Sequence, residues 1–308
     1  MFLSVGEILV DVFVDGTKRL VMPGGAPFNL AYNANLYTKD VCFVGCVGDD
    51  EEGKILLKAA DEAHFYKQCV AVSEVYPTSK AIVTLVDGER SFRFDRDYGA
   101  DYHLDLHQID DSLLEKGGVA HIGSLMLSFE EGRTFFDDFI KKMRQHPNVA
   151  ISFDINYRDD IFSSPAYAKE VFLNALKQAD ILKFSNDELA YLSGEEDIEK
   201  GLNALLHQGQ VAVVTLGKDG SIFYKNGKLI HVPSVPVKPV DTTGAGDAFY
   251  SYFLASYHND PSLVDDEVKI RACLTRANAV GAFATLQKGA IGAAPSVEQL
   301  EAFVKAHC

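Results

Sequence analysis

The stretch DTTGAGDAFYSYF, Asp241–Phe253, places two glycines and two aspartates ahead of an apolar run. Glycine permits a tight turn that residues with a Cβ atom cannot follow. The run from Ala248 to Ala255 is apolar nearly all round, which predicts a buried helix. The glycines then lie at the amino end of that helix, where free backbone N–H groups and the helix dipole favour an anion such as phosphate.

Asp247 is unexpected in such a turn because a carboxylate repels an anion. A carboxylate beside an anion site has a use where it takes a proton from an attacking hydroxyl, as in phosphoryl transfer. The residues of this stretch therefore predict an anion hole with a general base next to it.

The overall composition narrows the classes of protein to which the 308-residue chain can belong. Hydrophobic residues make up 47%, enough for a large core, and the formal charge of −15 argues against nucleic acid or an anionic membrane as the main partner. No apolar run is long enough to cross a bilayer. The five cysteines include no C-x-x-C pair and indicate the reduced thiols of a cytoplasmic protein.

The order of strands and helices along the chain predicts the fold class. Continuous apolar runs such as AISFDI and VAVVTLG are typical of buried strands, and amphipathic helices lie between them. This alternation predicts a three-layer α/β/α fold with a mostly parallel central sheet. We expect one domain over residues 1–308, in which the first strand, FLSVGEIL, has Asp11 at its end.

Hairpin signals interrupt this alternation. One segment turns at Asp87-Gly88 and another at Asp15-Gly16, each between β-type runs. If the two hairpins pair, they form a small sheet over the edge of the main one, a lid made of roughly residues 10–25 and 77–101. A third hairpin signal turns at Asn226-Gly227.

Several motifs occur in the order in which the PfkB-type, or ribokinase-like, sugar kinases carry them. GGAPFN (Gly24–Asn29) resembles their amino-terminal signature, and DTTGAGDAF (Asp241–Phe249) resembles their carboxyl-terminal one. VTLGKDGS (Val214–Ser221) resembles their nucleotide-loop strand, and NYR (Asn156–Arg158) and KGA (Lys288–Ala290) also fall in order. The resemblance covers essentially the whole chain. It implies a ribokinase-like fold and phosphoryl transfer from ATP, with Mg²⁺, to a sugar hydroxyl.

The resemblance assigns the chemistry to the opening stretch. Asp247 is then the general base that accepts the proton of the sugar hydroxyl. The N–H groups of Gly244, Ala245 and Gly246 hold the charge that develops on the transferred phosphoryl group. Such a mechanism consists mainly of positioning and electrostatics.

For the sugar, the resemblance implies a set of contacts near the amino terminus and on the lid. The matching residues are Asp11, Gly24, Gly25, Asn29, Arg96 and Arg158. A turn acid is the alternative for Asp11, and a surface position is the alternative for each arginine. Asp95 stands before Arg96 where related enzymes usually have an aromatic residue, which leaves the identity of the substrate open.

For the nucleotide, the resemblance implies a site between a buried strand and a late helix. Its residues are Thr215, Gly217, Gly220 and Asn278. The magnesium-linked family motif is N-x-x-E, and here Ser185 replaces the asparagine while Glu188 is kept. Glu188 is therefore expected to order a water on magnesium. Its alternative role is that of an acid at a helix amino terminus capped by Ser185, and the two roles are compatible.

The resemblance also implies a monovalent-cation site, for which K⁺ is the candidate ion. Its residues are Asp241, Thr243, Ala284 and Gly289.

The best single substrate is fructose, phosphorylated to the 6-phosphate, because GGAPFN with Pro27 resembles the fructokinase branch. A ketodeoxygluconate kinase is the nearest alternative, since Arg96 and Arg158 could bind a carboxylate. A catalytically silent sensor of sugar or nucleotide on the same scaffold is the alternative from another class. A nicotinamide-dependent dehydrogenase would need a glycine fingerprint after an early strand, which is missing.

The lid predicts self-association. Its hairpins expose β-edges and apolar residues such as Phe92 and Phe94, which a partner lid could cover. We therefore expect a homodimer.

Overall fold

The computed structural model describes residues 1–15, 18–86 and 89–307 and contains two β-sheets. The strands are β1 (Phe2–Val5), β2 (Leu9–Asp15), β3 (Lys18–Gly24), β4 (Val41–Gly48), β5 (Lys67–Ser73), β6 (Lys80–Val86), β7 (Glu89–Asp95), β8 (Gly118–Ile122), β9 (Val149–Asp154), β10 (Ile181–Ser185), β11 (Val211–Thr215), β12 (Ser221–Lys225) and β13 (Lys228–Val232). The α-helices are α1 (Ala26–Ala34), α2 (Glu51–Glu62), α3 (Asp111–Leu114), α4 (Glu130–Met143), α5 (Pro165–Leu176), α6 (Asn186–Ser193), α7 (Ile198–Leu205), α8 (Ala245–Asn259), α9 (Glu267–Ala284) and α10 (Val297–His307).

The main sheet has nine strands in the order β13-β12-β11-β10-β9-β8-β1-β4-β5. All neighbours from β11 to β5 run parallel, and β12 and β13 extend one edge as an antiparallel hairpin. Helices α4 to α7 cover one face, and α1, α2, α8 and α9 cover the other. Because both faces are covered, strands such as β1 and β4 are buried along their whole length. The expected three-layer fold is confirmed.

The small sheet has four strands in the order β3-β2-β6-β7. The pairs β2–β3 and β6–β7 are antiparallel hairpins, and β2 and β6 pair in parallel to join them. The predicted pairing of the two hairpins is thereby confirmed, although Gly16 and the turn Asp87-Gly88 lie outside the described residues, as does the side chain of Phe92. The third hairpin, β12–β13, turns at Asn226 and Gly227 with φ values of 51° and 81°.

The first strand is shorter than the sequence predicts. FLSVGEIL does not form one strand, because β1 ends at Val5 and Gly6 adopts a φ of 145°. A Cβ atom at Gly6 would lie 2.8 Å from Cγ of Pro27, so glycine permits both the turn and the close packing. The chain leaves the main sheet there, and Asp11 lies within β2 of the small sheet rather than at the end of the first strand.

No helix within the described ranges combines the length and the apolar character that a membrane span requires. The described cysteines, Cys42, Cys46, Cys69 and Cys273, are free thiols. Within residues 1–15, 18–86 and 89–307, no group of three or more histidine, cysteine, aspartate or glutamate side chains could hold a metal ion.

Glu7 lies in the segment that joins the two sheets, and its side chain has no access to solvent. Neither carboxyl oxygen has a hydrogen-bond partner among the described residues. Burial raises the pKa of Glu7 to about 8, with Asp101 and Asp247 adding to the rise and Arg96 opposing it. Glu7 is therefore a neutral acid in the folded protein at pH 7, whereas it ionises in the unfolded chain.

We expect Glu7→Gln to flatten the dependence of stability on pH. The folded-state pKa lies above the unfolded value, so the contribution of Glu7 to stability is complete near pH 4 and declines as the pH rises towards 8. Glutamine keeps the size but cannot ionise, and it should gain roughly 2 kcal/mol or more over wild type between pH 5 and pH 8. Urea unfolding at these pH values measures the difference. Glu170→Gln, at an exposed position, is the control, and equal slopes for wild type and Glu7→Gln would contradict the assignment.

Candidate active site

The glycine turn predicted before α8 lies where the sequence indicates. Gly244 is the residue that precedes the helix, and its φ of 73° is left-handed. A Cβ atom there would lie 2.8 Å from Cα of Ala290, so only glycine fits. Gly244 has no side chain with which to cap the helix. The N–H of Ala245 donates a long hydrogen bond of 3.3 Å to the carbonyl of Thr242, and no side chain of the described residues caps the amino end of the helix, where backbone N–H groups can meet a ligand.

Asp247 lies in that first turn and is half-buried. Nδ2 of Asn29 donates a hydrogen bond to its Oδ2 atom at 2.8 Å, which links α8 to α1. Burial raises the pKa of Asp247, while the Asn29 hydrogen bond and the charges of Lys183 and Arg158 oppose the rise. A carboxylate with a raised pKa and a fixed orientation is suited to accept a proton.

A buried ion pair that sequence reasoning missed lies behind the glycine turn. Lys183 on β10 and Asp154 on β9 are register neighbours, and Nζ of Lys183 lies 2.7 and 2.8 Å from the two carboxylate oxygens. The amine is 3.6 Å from the position that a Cβ atom would take at Gly246. The signal was a lysine inside the apolar run ILKFS, since a lysine is almost never fully buried unless it is paired.

The pair is ionised at neutral pH. Burial alone would lower the pKa of Lys183, but the charges of Asp154, Glu188 and Asp247 outweigh burial and raise it. Burial raises the pKa of Asp154, and the ammonium group of Lys183 opposes that rise. A fixed positive charge therefore lies beside the backbone of Gly246.

Three of the residues predicted for the sugar lie where the first hairpin joins α1. Asp11 lies on β2, Gly24 is the last residue of β3, and Gly25 directly precedes α1. A Cβ atom at Gly24 would lie 2.6 Å from Oδ2 of Asp11, so glycine leaves room for the carboxylate. Burial raises the pKa of Asp11 to about 7, with repulsion from Asp247 in the same direction and Arg158 opposing.

The two arginines occupy different environments. Arg96 is only 3% exposed, and it donates from Nε and Nη2 to Oδ2 of Asp101 at 3.1 and 2.5 Å. Its Nη1 atom donates to the carbonyl of Leu125 and to Ser128. The alternative of a surface position is therefore wrong for Arg96, whose donors are mostly engaged within the protein. Arg158 is exposed and has its charge close enough to affect both Asp11 and Asp247.

A cavity of about 680 Å³ borders the glycine turn. Its lining includes Thr215, Gly217, Gly220 and Asn278, which are the residues predicted for the nucleotide, and it reaches Ala245 and Gly246. A second part of the wall was not predicted from the sequence. It is formed by the loop after β13, which contributes Val235, Pro236, Val237 and Pro239. Apolar walls with a few polar groups are typical of cofactor sites.

Glu188 lies at the start of α6 in a capping box with Ser185. Its Oε2 atom accepts from the N–H of Ser185 at 2.6 Å, and its Oε1 atom accepts from the N–H of Tyr157 at 2.9 Å. The predicted helix-cap role is confirmed. Each oxygen keeps a second lone pair, so the carboxylate also fits a water held on magnesium, and that role stays a prediction.

The residues predicted for a monovalent cation meet behind the anion turn. Oδ1 of Asp241 accepts from Thr243 N and Oγ1 at 3.0 and 2.8 Å, and its Oδ2 atom accepts from Gly289 N at 3.2 Å. Ala284 is the last residue of α9, next to Thr285, whose carbonyl accepts from Asp241 N at 3.1 Å. One carboxylate with neighbouring hydroxyl and carbonyl oxygens suits a singly charged ion.

Comparison with known proteins places this geometry in a family. Residues 10–297 match the pfkB family carbohydrate kinases. The chain belongs to that family. It is 35% identical to the probable fructokinase-5 of Arabidopsis thaliana, with 99% of this chain and 97% of the relative aligned.

Solved pfkB-type structures have the same fold. A fructokinase from Xylella fastidiosa with bound ATP superposes with a TM-score of 0.90 at 26% identity, covering 99% of this chain and 98% of the other. A fructokinase from Vibrio cholerae O395, bound to fructose, ADP and calcium, has a TM-score of 0.89 at 33% identity, covering 98% of each chain. A double mutant of the latter was solved with fructose, ADP and potassium, at the same TM-score of 0.89.

Membership of the pfkB family makes the protein a carbohydrate kinase, an enzyme that transfers a phosphoryl group to a hydroxyl. The expected ribokinase-like fold and enzyme class are confirmed. The dehydrogenase alternative is wrong.

Proposed function

We propose that the protein transfers the γ-phosphoryl group of ATP to fructose and forms fructose 6-phosphate. The observation that carries the proposal is the position of Asp247. It directly follows Gly246 in the wall of the 680 Å³ cavity, accepts a hydrogen bond from Asn29, and is close enough to Asp11 to raise the pKa of that carboxyl. The fructokinases named above support the choice of sugar and nucleotide.

The charges around Asp247 favour a neutral sugar over a ketodeoxygluconate. Arg96 is already neutralised by Asp101, so it has little to offer the carboxylate of an acidic sugar. Arg158 remains as a cation, but its charge already acts on Asp11 and Asp247 and opposes the rise in their pKa values. An acceptor with a carboxylate would meet these acids, whereas a neutral polyol can donate hydrogen bonds to them.

In the proposed mechanism, ATP occupies the cavity lined by Thr215 and Asn278, with its phosphates towards the glycine turn. Asp11 and Asn29 hold hydroxyls of the sugar, and Asp247 accepts the proton of the attacking one. The N–H groups of Gly244, Ala245 and Gly246 and the charge of Lys183 stabilise the transferred phosphoryl group.

Two metal ions complete the proposed chemistry. Mg²⁺ bound with ATP would neutralise phosphate charge, and Glu188 is the residue that would hold a water of its shell. Asp241, Thr243, Ala284 and Gly289 would hold a monovalent ion such as K⁺, consistent with the potassium-bound fructokinase structure.

We also propose one cytoplasmic kinase domain over residues 1–308, with the small sheet as its lid and a homodimer formed through that lid. Residues 10–25 and 77–101 correspond to the lid and its connections. Among the described strands, β3 and β7 are the outer strands of the small sheet, and unpaired edges of this kind favour pairing with a second chain. A monomer in light scattering at micromolar concentration would contradict the dimer.

The test of the function is ADP release from ATP·Mg²⁺ with fructose, ribose, ketodeoxygluconate, tagatose, fructose 6-phosphate and adenosine as acceptors. We expect turnover with fructose and little with ketodeoxygluconate. Preference for ketodeoxygluconate would overturn the substrate assignment. Bound ATP without turnover of any acceptor would favour the silent sensor.

A further inference from the structure

Two neighbouring side chains lie on one face of the small sheet. Asp11 on β2 and Met22 on β3 are directly opposite each other in the antiparallel register. Opposed residues on paired strands share a face of the sheet and lie side by side. Since Asp11 is directed towards the acceptor site, Met22 lies on the underside of the lid as well.

Met22 rests on Gly289, in the loop between α9 and α10. A Cβ atom added at Gly289 would overlap Cε of Met22 and would lie 3.5 Å from its Sδ atom. Gly289, which Met22 covers, has a φ of 85°, a backbone conformation that glycine adopts without strain. The contact connects the lid to the body of the kinase.

The same loop supports the anion turn. The N–H of Gly289 donates to Oδ2 of Asp241 at 3.2 Å, which fixes one side of the proposed cation site. The next residue, Ala290, packs closely against Gly244. A Cβ atom added at Gly244 would lie 2.8 Å from Cα of Ala290. Two consecutive loop residues, Gly289 and Ala290, therefore contact the lid, the carboxylate of Asp241 in the proposed cation site, and the anion turn at Gly244.

We propose that Met22 is a positioning residue that couples the lid to the anion hole. When the lid lies over the acceptor, the methyl group of Met22 holds the loop at Gly289, and the loop holds Asp241 and Gly244 in place. Binding of the sugar hydroxyls by Asp11 and ordering of the N–H groups of the turn at Gly244 then occur together. This inference rests on the proposed kinase function.

The kinetic test compares Met22→Ala with Met22→Leu. We expect Met22→Ala to raise KM for fructose and to lower kcat, each by about tenfold, because a small displacement of reacting groups costs that much or more. KM for ATP should stay within about twofold, and Met22→Leu, which conserves volume, should restore most of the activity. Leu20→Ala is the matched control, since Leu20 lies on the same strand and is 55% exposed. Unchanged kinetics in Met22→Ala would overturn the proposal.

A double-mutant cycle tests the contact itself. Gly289→Ala introduces a Cβ atom that collides with Met22 and strains the loop, and we expect it to reduce kcat by at least about tenfold. Adding Met22→Ala should recover part of that loss, because the collision disappears while the strain remains. Strictly additive effects of the two substitutions would show that the contact does not carry the coupling.

The NMR signal of the Met22 methyl group does not depend on catalysis, so it tests the coupling separately from the proposed function. The chain has four methionines, and labelling their methyl groups with ¹³C gives few resonances, of which Met22→Leu identifies the one from Met22. We expect K⁺ or fructose, but not choline chloride, to shift the Met22 resonance and to leave those of buried Met126 and Met143 in place. A Met22 resonance unmoved by both ligands overturns the coupling, whereas absence of turnover with a moving resonance overturns only the substrate assignment.

Discussion

Asp247→Asn is expected to fold as the wild type does and to lose on the order of 10²–10⁴ in kcat, the usual contribution of a positioned general base. The amide oxygen of asparagine can still accept the hydrogen bond from Nδ2 of Asn29, which lies 2.8 Å from the carboxylate in the wild type. The link between α1 and α8 is therefore kept while the ability to take a proton is lost.

The pH profile makes this test specific. Burial raises the pKa of Asp247, and the base acts only when ionised, so kcat/KM of the wild type should rise with pH through that pKa and then level off. The residual activity of Asp247→Asn should lack this acid limb. Urea unfolding and ATP binding serve as controls for folding, and Asp187→Asn, an exposed acid on α6, serves as a matched variant. Turnover near the wild-type level in Asp247→Asn would remove the base from the mechanism.

The parts of the site that the sequence predicts depend on local chemistry. A glycine at positive φ before an apolar helix marks the anion turn at Gly244, and paired turn residues mark the hairpins of the small sheet. Both signals are contained within a few consecutive residues. The break at Gly6 was missed because an isolated glycine in an apolar run gives no sign of which way the chain turns.

The parts that the sequence does not predict depend on distant neighbours. Lys183 and Asp154 are 29 positions apart and become partners only because β9 and β10 are adjacent and in register. Arg96 matched a substrate position by sequence, yet Asp101, Leu125 and Ser128 together engage most of its donors in the folded chain. Pairing of buried charges is decided by sheet order and packing, which a motif does not encode.

Lys183→Met is expected to have the second largest effect on activity. The ammonium group is the buried cation next to Gly246, and removing a preorganised charge from a phosphoryl-transfer site typically costs about 10²–10³ in kcat. The single variant also leaves Asp154 as an unpaired buried charge, which costs roughly 3–5 kcal/mol of stability and could prevent folding. A low activity in this variant alone would therefore not distinguish a role in chemistry from a role in folding.

The double variant Asp154→Leu/Lys183→Met separates the two roles. It removes both charges and leaves neither a buried ion nor a buried polar group without a partner, and replacing a buried pair by apolar residues of similar volume is often close to neutral for stability. If Lys183 stabilises the transferred phosphoryl group, the double variant should unfold at nearly the wild-type urea concentration and still show a kcat about a hundredfold lower. A double variant that is stable and turns over at the wild-type rate would show that the ion pair serves only the fold and has no role in the chemistry. The expected result would instead show that the ammonium group of Lys183 on β10 and the backbone N–H groups of the glycine turn together stabilise the transferred phosphoryl group.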